Sequence, residues 1–341
     1  MFFYSMEYAP LLRRLLAGEH LEASQSADLI GSIMDGSLTA IQGAGALAAL
    51  AAKGEHVDEI VGAARAMRER SLHVEHRLEL LVDVVGTGGD GANTVNISTM
   101  AALAVAACGV PVAKHGNRAA SSACGSADVL EAAGLPLDVA PERAAQMLEL
   151  SNFTFMFAPR YHPAMKNIAP IRRELGVRTI FNVLGPLTNP AKANVQIVGV
   201  ARESLTGLVG DVLRDLGVRR GAVVHGAGGI DEVAGHGVST VYSFDETGAH
   251  RWELDPSDYG VSTPLSSIVA GSTALCAEAF FSILGGERSA RADVVALNAA
   301  LALFTAGSET RMERAFERAR ETLLSGAALR TFERAKEIAR G

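Results

Sequence analysis

Leu80-Leu81-Val82-Asp83-Val84-Val85 is a short apolar run of strand type, and it leads directly into Gly86-Thr87-Gly88-Gly89-Asp90-Gly91. A strand that meets a glycine-rich loop at its carboxyl end marks the place where α/β proteins put their ligands. Three glycines in four positions let backbone N–H groups come close to a phosphate. The spacing matches neither GxGxxG nor GxxxxGK[ST], so it is neither a dinucleotide nor a P-loop fingerprint. A tight strand–helix turn remains the plainer alternative.

The rest of the chain repeats this alternation. Helical patterns at 98–108, 126–133 and 203–216 interleave with strand patterns at 110–114, 153–157, 195–200 and 222–225. Such an order predicts a wound, mostly parallel sheet. Residues 240–244 and 250–254, joined by Asp245-Glu246-Thr247-Gly248, read as a hairpin, and 293–306, 310–325 and 327–340 as helices. Residues 1–72 show helical patterns only. Leu11, Leu12, Leu15 and Leu16 share a face, Ser24 reads as a cap for the next helix, and 39–53 and 56–70 follow. Four short helices cannot easily hide all their apolar faces, so this module is expected to pack on something else, such as a second copy of itself.

Composition narrows the class. At ~150 residues per domain, 341 residues make about two domains. Apolar residues at 48% and charged residues at 20% exclude whole-chain disorder. A net charge of −7 argues against a chain-wide nucleic-acid surface, and 5% aromatics against base-stacking platforms. Cys108, Cys124 and Cys276 have no CxxC spacing, so unremarkable reduced thiols are expected. The first residues lack the pattern of an export signal, and the uncharged run 91–113 is too polar to span a bilayer. A soluble cytoplasmic protein is expected, with no membrane or nucleic-acid partner.

Four further constellations carry chemistry. Asn96-Ile97-Ser98-Thr99 opens a helix, whose N-terminus favours anions; simple capping is the alternative. Lys114-His115-Gly116-Asn117-Arg118, followed by Ser121-Ser122 and Ser126, fits a second phosphate loop, with Lys114 at a strand end as a point charge. His115 alone reads better as a structural histidine. Residues 159–178 hold Arg160, Lys166, Arg172, Arg173 and Arg178 against one acid, Glu174, and a guanidinium can grip a carboxylate with two bonds. A basic solvated helix face is equally open there. Asp231-Glu232 follows the strand 222–225 and the loop Gly226-Ala227-Gly228-Gly229, an arrangement suited to Mg²⁺ held partly through substrate phosphates. A surface acidic pair is the alternative.

In this order, DVVGTGGDGANTVNIST, VAKHGNRAASSACGSADVLEAAG, FMFAPRYHPAMKNIAPIRRELGVRTIFNVLGPLTNPA and VVHGAGGIDEVA resemble the anthranilate phosphoribosyltransferases of tryptophan biosynthesis over nearly the whole chain. One departure is Gln42-Gly43-Ala44-Gly45, where bulkier apolar residues would be expected. The resemblance implies an α/β fold of the nucleoside phosphorylase and phosphoribosyltransferase type. A small helical domain, 1–72 joined by part of about 168–190, would accompany a larger domain, 73–341, with a mostly parallel central sheet. It also implies a homodimer, an active site at the hinge and Mg²⁺, two ions per subunit.

The implied reaction moves the 5-phosphoribosyl group of phosphoribosyl pyrophosphate to the amine of anthranilate. Phosphoribosyl pyrophosphate would meet Gly86, Gly89, Asp90, Thr94, Asn96, Ile97, Ser98 and Thr99 on the first loop and helix. On the second loop it would meet Lys114, His115, Gly116, Asn117, Arg118, Ala119, Ala120, Ser121, Ser122 and Ser126. Anthranilate would meet Gly86, Asn117, Arg172 and His162, and the metal Ser98, Asp231 and Glu232. No general base is evident. A pyrimidine nucleoside phosphorylase-like enzyme and a non-enzymatic nucleic-acid-binding relative are the rival readings. The KHGNR and GPLTNP strings and the net charge of −7 weigh against them.

Overall fold

The computed structural model describes residues 7–119 and 122–341. The chain forms two compact units. One takes the chain up to Leu72 and then Tyr161–Thr188, and the other takes His73–Arg160 and Asn189–Gly341.

The first unit is helical: Tyr8–Leu16, Ala23–Met34, Ala40–Lys53 and Val57–Glu69, then Met165–Leu175 and the short turn Phe181–Leu184. Leu29, Ile30, Ile33, Leu47, Leu50, Ile60 and Ile168 are buried. The second helix starts one residue before Ser24. Glu22 caps it, with its N–H donating to Gln25 Oε1 at 3.2 Å, so Ser24 lies inside the first turn. Gly43 has a packing reason. A Cβ there would lie 3.0 Å from Ile171 Cδ1 and 3.1 Å from Ile33 Cγ2. The small residue lets three helices meet closely, which offsets its poor helix propensity. Glu59 is buried but well held, by Lys53 Nζ at 2.8 Å and the N–H groups of Leu21 and His56 at 2.9 and 2.8 Å.

The second unit is built on a seven-stranded sheet. Its strands are β1 (Val82–Gly86), β2 (Val112–Gly116), β3 (Phe153–Phe157), β4 (Val195–Gly199), β5 (Arg220–His225), β6 (Ser239–Asp245) and β7 (Gly248–Leu254). The order is β3-β2-β1-β4-β5-β6-β7; the first five strands are parallel and the last two antiparallel. Strand order reverses beside β1, which has β2 on one side and β4 on the other. Open α/β sheets bind ligands at such a reversal. The helices Ile97–Ala107 and Ala290–Thr305 pack on each other and are apolar nearly all round, as helices buried on every side must be.

β2 starts and ends two residues later than its apolar run suggests, and β1 starts two residues later and ends one later. Leu81 N–H is taken by Asn194 Oδ1 at 2.9 Å, and Val82 N–H by the Pro111 carbonyl at 2.9 Å. The parallel ladder therefore starts at Val82 and Val112 and runs into the glycines that follow. As a result β1, β2 and β4 all end on glycine: Gly86, Gly116 and Gly199. Lys114, expected at a strand end, is instead in the middle of β2. Among the described residues, the longer helices Pro141–Ser151 and Thr273–Leu284 were not anticipated, nor were the single turns Ala158–Tyr161 and Phe181–Leu184. No helix among the described residues is long and apolar enough to cross a membrane.

Candidate functional site

The carboxyl ends of β1, β2, β4 and β5 lie side by side, and the loops that follow them bend back over the sheet edge. The terminal glycines allow this. A Cβ on Gly86 would lie 2.4 Å from Asp231 Oδ2, and one on Gly116 2.3 Å from Ser126 Oγ. Those distances are below any real Cβ contact, so only a glycine fits without displacing the neighbour.

The loop after β1 carries Gly88, Gly89, Gly91 and Asn93 at φ values of 67°, 78°, 72° and 51°. Thr87 N–H donates to the Gly199 carbonyl at 2.9 Å, and Gly88 N–H to Asp231 Oδ2 at 2.6 Å. Asp90 accepts from Ala92 N–H at 3.1 Å. Thr94 forms an isolated bridge with Val269, which ties this loop to a later segment. Asn96 stands at the N-cap position of the helix Ile97–Ala107 without a side-chain capping bond, and its Nδ2 donates to the Cys124 carbonyl at 3.1 Å. That bond joins the first loop to the second. The hydroxyls of Thr87 and Thr99 and the Asn96 Oδ1 are buried and have no hydrogen-bond partner among the described residues. Buried polar atoms are rarely left so, and three around one loop and helix start mark a place built for a polar ligand.

The loop after β2 is organised by Asp128. Its Oδ2 accepts from Ala119 N–H and Gly125 N–H, both at 2.9 Å. Ser126 Oγ and Ala127 N–H both donate to the Asn117 carbonyl, at 3.2 and 3.1 Å. Ser122 is half-buried, and Ala120 and Ser121 lie outside the described residues. Arg118 is turned toward Glu131 at 2.7 Å and Asp128 at 3.0 Å, with its guanidinium 5.5 Å from the Phe157 ring centre.

Lys114 and His115 are 2% exposed, so neither is a surface group. Lys114 Nζ donates to the Val84 carbonyl. Burial pushes its pKa down, opposed by Asp83, Glu232 and Asp231. His115 N–H donates to Asp83 Oδ1 at 3.2 Å. Burial raises the Asp83 carboxyl to about 6. Asn189, in the string GPLTNP, donates to Asp83 Oδ2 at 2.7 Å and to the Ala113 carbonyl at 2.8 Å. It is fully buried, and no local pattern marked it.

Asp231 and Glu232 face the first loop. Glu232 Oε1 accepts from Ser98 N–H at 3.1 Å, at the start of the helix. Each residue keeps some exposed surface, yet its carboxyl is enclosed. Burial pushes both carboxyls well above the usual carboxylate range. Asp90 adds to the effect on Asp231, and Asp231 adds to the effect on Glu232. Lys114 offsets it in part. Two enclosed carboxylates with so little counter-charge are a place for a cation. No group of three or more His, Cys, Asp or Glu side chains among the described residues could hold a metal by itself. The donor set therefore fits an ion that brings further oxygen ligands with it, as Mg²⁺ does with phosphates.

Arg172 and His162 belong to the first unit. Arg172 sits on the helix Met165–Leu175, half-buried, with its guanidinium 5.8 Å from the Phe181 ring centre. Burial lowers its pKa. Its neighbour Arg173 is exposed, and Arg160 pairs with Asp138 at 2.8 Å. His162 is buried.

Residues 78–329 match the glycosyl transferase family a/b domain, and residues 9–71 the helical bundle domain of the same family. An anthranilate phosphoribosyltransferase of Symbiobacterium thermophilum is 45% identical over 329 residues, covering 96% of each chain. The chain belongs to the anthranilate phosphoribosyltransferase family. A solved member from Thermus thermophilus superposes with a TM-score of 0.91 at 42% identity, over 97% of this chain and 99% of that one. The Saccharomyces cerevisiae member, solved in complex with PRPP and Mg, has a TM-score of 0.90 at 27% identity over 98% of both chains. Among these relatives nothing favours a nucleoside phosphorylase or a nucleic-acid-binding protein.

Proposed function

We propose that this chain transfers the 5-phosphoribosyl group of phosphoribosyl pyrophosphate to the amine of anthranilate, releasing pyrophosphate. The observation that carries the reading is the meeting, at the sheet's reversal point, of a glycine loop, a helix N-terminus and the enclosed Asp231–Glu232 pair. Such a site suits a polyanion that arrives with a divalent ion.

In this reading the backbone N–H groups of the first loop and the start of the helix Ile97–Ala107 bind the phosphates, with Asp90, Thr94, Asn96, Ser98 and Thr99 beside them. The second loop, from Asn117 to Ser126, supplies further donors. Lys114 adds positive charge and a donor for the phosphates: its ammonium carries three N–H groups, and the Val84 carbonyl takes one of them. Asp231, Glu232 and Ser98 would hold Mg²⁺, with two ions per subunit as the working number. Bound with the substrate, the ion would neutralise charge that grows on the leaving pyrophosphate.

As the ribose C1′–O bond loosens, the anthranilate nitrogen forms the new bond to C1′ and gives up one proton. The chain's share is positioning and preset electrostatics. Arg172 holds the anthranilate carboxylate through its planar fork, with Asn117, Gly86 and His162 assigned to the same substrate. A homodimer is part of the proposal, since the helical unit leaves Ile41 85% and Leu16 70% exposed. Sedimentation at micromolar concentration should give twice the chain mass of 35.6 kDa, and a monomer would refute it. The cytoplasm is the expected compartment.

The deciding assay mixes the pure protein with anthranilate, phosphoribosyl pyrophosphate and Mg²⁺ and follows loss of anthranilate fluorescence. Loss that requires all three supports the reading, and persistent fluorescence refutes it.

A further inference from the structure

The two residues that follow the carboxylate pair are each held by a buried side chain from elsewhere in the same unit. Asn298 Oδ1 accepts from Val233 N–H at 2.9 Å, and its Nδ2 donates to the Val233 carbonyl at 3.0 Å and the Val294 carbonyl at 2.9 Å. Ser239 Oγ accepts from Ala234 N–H at 3.0 Å. Asn298 is 4% exposed and Ser239 fully buried.

Asn298 is out of pattern. From Val294 to Leu303 the helix Ala290–Thr305 is buried, and every other residue in that stretch is apolar. A lone buried amide is retained where its hydrogen bonds are needed. Here it grips both backbone groups of one residue, which fixes the peptides on either side of Val233. The bond to Val294 anchors the amide to its own helix. On the other side of the pair, the Asp231 carbonyl rests against Gly199. Asp231-Glu232 is therefore strung between two fixed points. Two carboxylates on adjacent residues repel when both are ionised, and a slack backbone would relieve that by letting them spread. A fixed backbone leaves relief to a cation.

We propose that Asn298, assisted by Ser239, is a positioning residue that holds Asp231 and Glu232 in register for the cation carried by the substrate. The proposal rests on the metal role given above to that pair. Outer-sphere groups that orient ligands typically change metal affinity 10–100-fold when removed.

The test compares wild type, Asn298→Ala, Ser239→Ala and the double variant Asp231→Asn/Glu232→Gln. Mn²⁺ binding is read by electron paramagnetic resonance with saturating phosphoribosyl pyrophosphate, and the Mg²⁺ dependence of the rate is read alongside. Asn298→Ala should weaken Mn²⁺ binding about tenfold or more and raise the Mg²⁺ concentration for half-maximal rate by a similar factor. Anthranilate KM should stay within about twofold, and activity should return at high Mg²⁺. A purely structural role would lower the active fraction and leave both metal midpoints in place, which overturns the proposal. If circular dichroism shows Asn298→Ala unfolded, Ser239→Ala decides: its midpoints must move in the same direction, and unmoved midpoints overturn the proposal. If the double variant binds Mn²⁺ as wild type does, the metal role of the pair fails and the proposal with it. If only the double variant shifts, the metal role stands and the proposal alone fails.

Discussion

Gly199 lies so close beneath Asp231 that a Cβ built on it would sit 1.6 Å from the Asp231 carbonyl oxygen. The obstacle is backbone, which cannot swing aside as a side chain can. Gly199→Ala should therefore displace residues 230–232 and cut activity about 100-fold or more, with a stability cost of about 1–3 kcal/mol from overpacking. Gly207→Ala, in the helix Leu205–Asp215, meets nothing within 4 Å. It should keep full activity and gain about 0.4–1 kcal/mol. Equal activity in the two variants would show that the contact does not matter.

The raised pKa values of Asp231 and Glu232 set the sign of a pH effect. The folded, metal-free protein keeps protons that the unfolded chain has released. Its stability should therefore fall as pH rises from about 5 to about 8. Asp83, at about 6, contributes with the same sign. In Asp231→Asn/Glu232→Gln the fall should be shallower, and denaturant titrations across that range would measure it. Mg²⁺ with phosphoribosyl pyrophosphate should raise the melting temperature of wild type more at high pH than at low. A steeper fall in the double variant would contradict the sign.

Gly88 and Gly89 hold left-handed backbone angles, 67° and 78°. Gly89→Val adds a β-branched side chain where L residues pay about 1–2 kcal/mol of strain and bulk where the backbone should meet phosphate. Calorimetric binding of phosphoribosyl pyrophosphate should be lost, with circular dichroism unchanged. Wild-type binding in this variant would remove the loop from the substrate site.

Arg172→Lys keeps a positive charge but loses the planar fork and the stacking over Phe181. Anthranilate KM should rise about tenfold or more, a loss of about 1.4 kcal/mol, while the KM for phosphoribosyl pyrophosphate stays within about twofold. Equal changes in both constants would place Arg172 elsewhere in the chemistry.

Local patterns carried much of this architecture. The strand into Gly86-Thr87-Gly88-Gly89 was visible because an apolar run stops there and glycine begins; β3 stood out as a short run rich in phenylalanine, and β6–β7 as two strand patterns joined by a polar turn. The helix Pro141–Ser151 carried a readable signal, a proline at its first position. What the sequence hid was long-range. Asn189 binds Asp83 across 106 positions, and Asn298 binds Val233 across 65. Lys114 reads as a solvent-facing cation until the fold buries it on the Val84 carbonyl. Gly199 lies inside the apolar run 195–200, and nothing nearby in the sequence announces that Asp231 will rest on it.

Each unit is assembled from two separated stretches of chain, and that imposes an order on synthesis. The four early helices lack the Ile171 contact at Gly43 and the 2.7 Å bond from Asn167 to the Met34 carbonyl until residue 171 has emerged. β1, in the middle of the sheet, has β2 early but must wait for β4, which begins at Val195. During that interval a central strand presents an open edge, the kind of surface that invites pairing with another chain. Neither unit exists as a continuous fragment, so a nascent chain stopped near residue 160 holds two half-built bodies and no finished one.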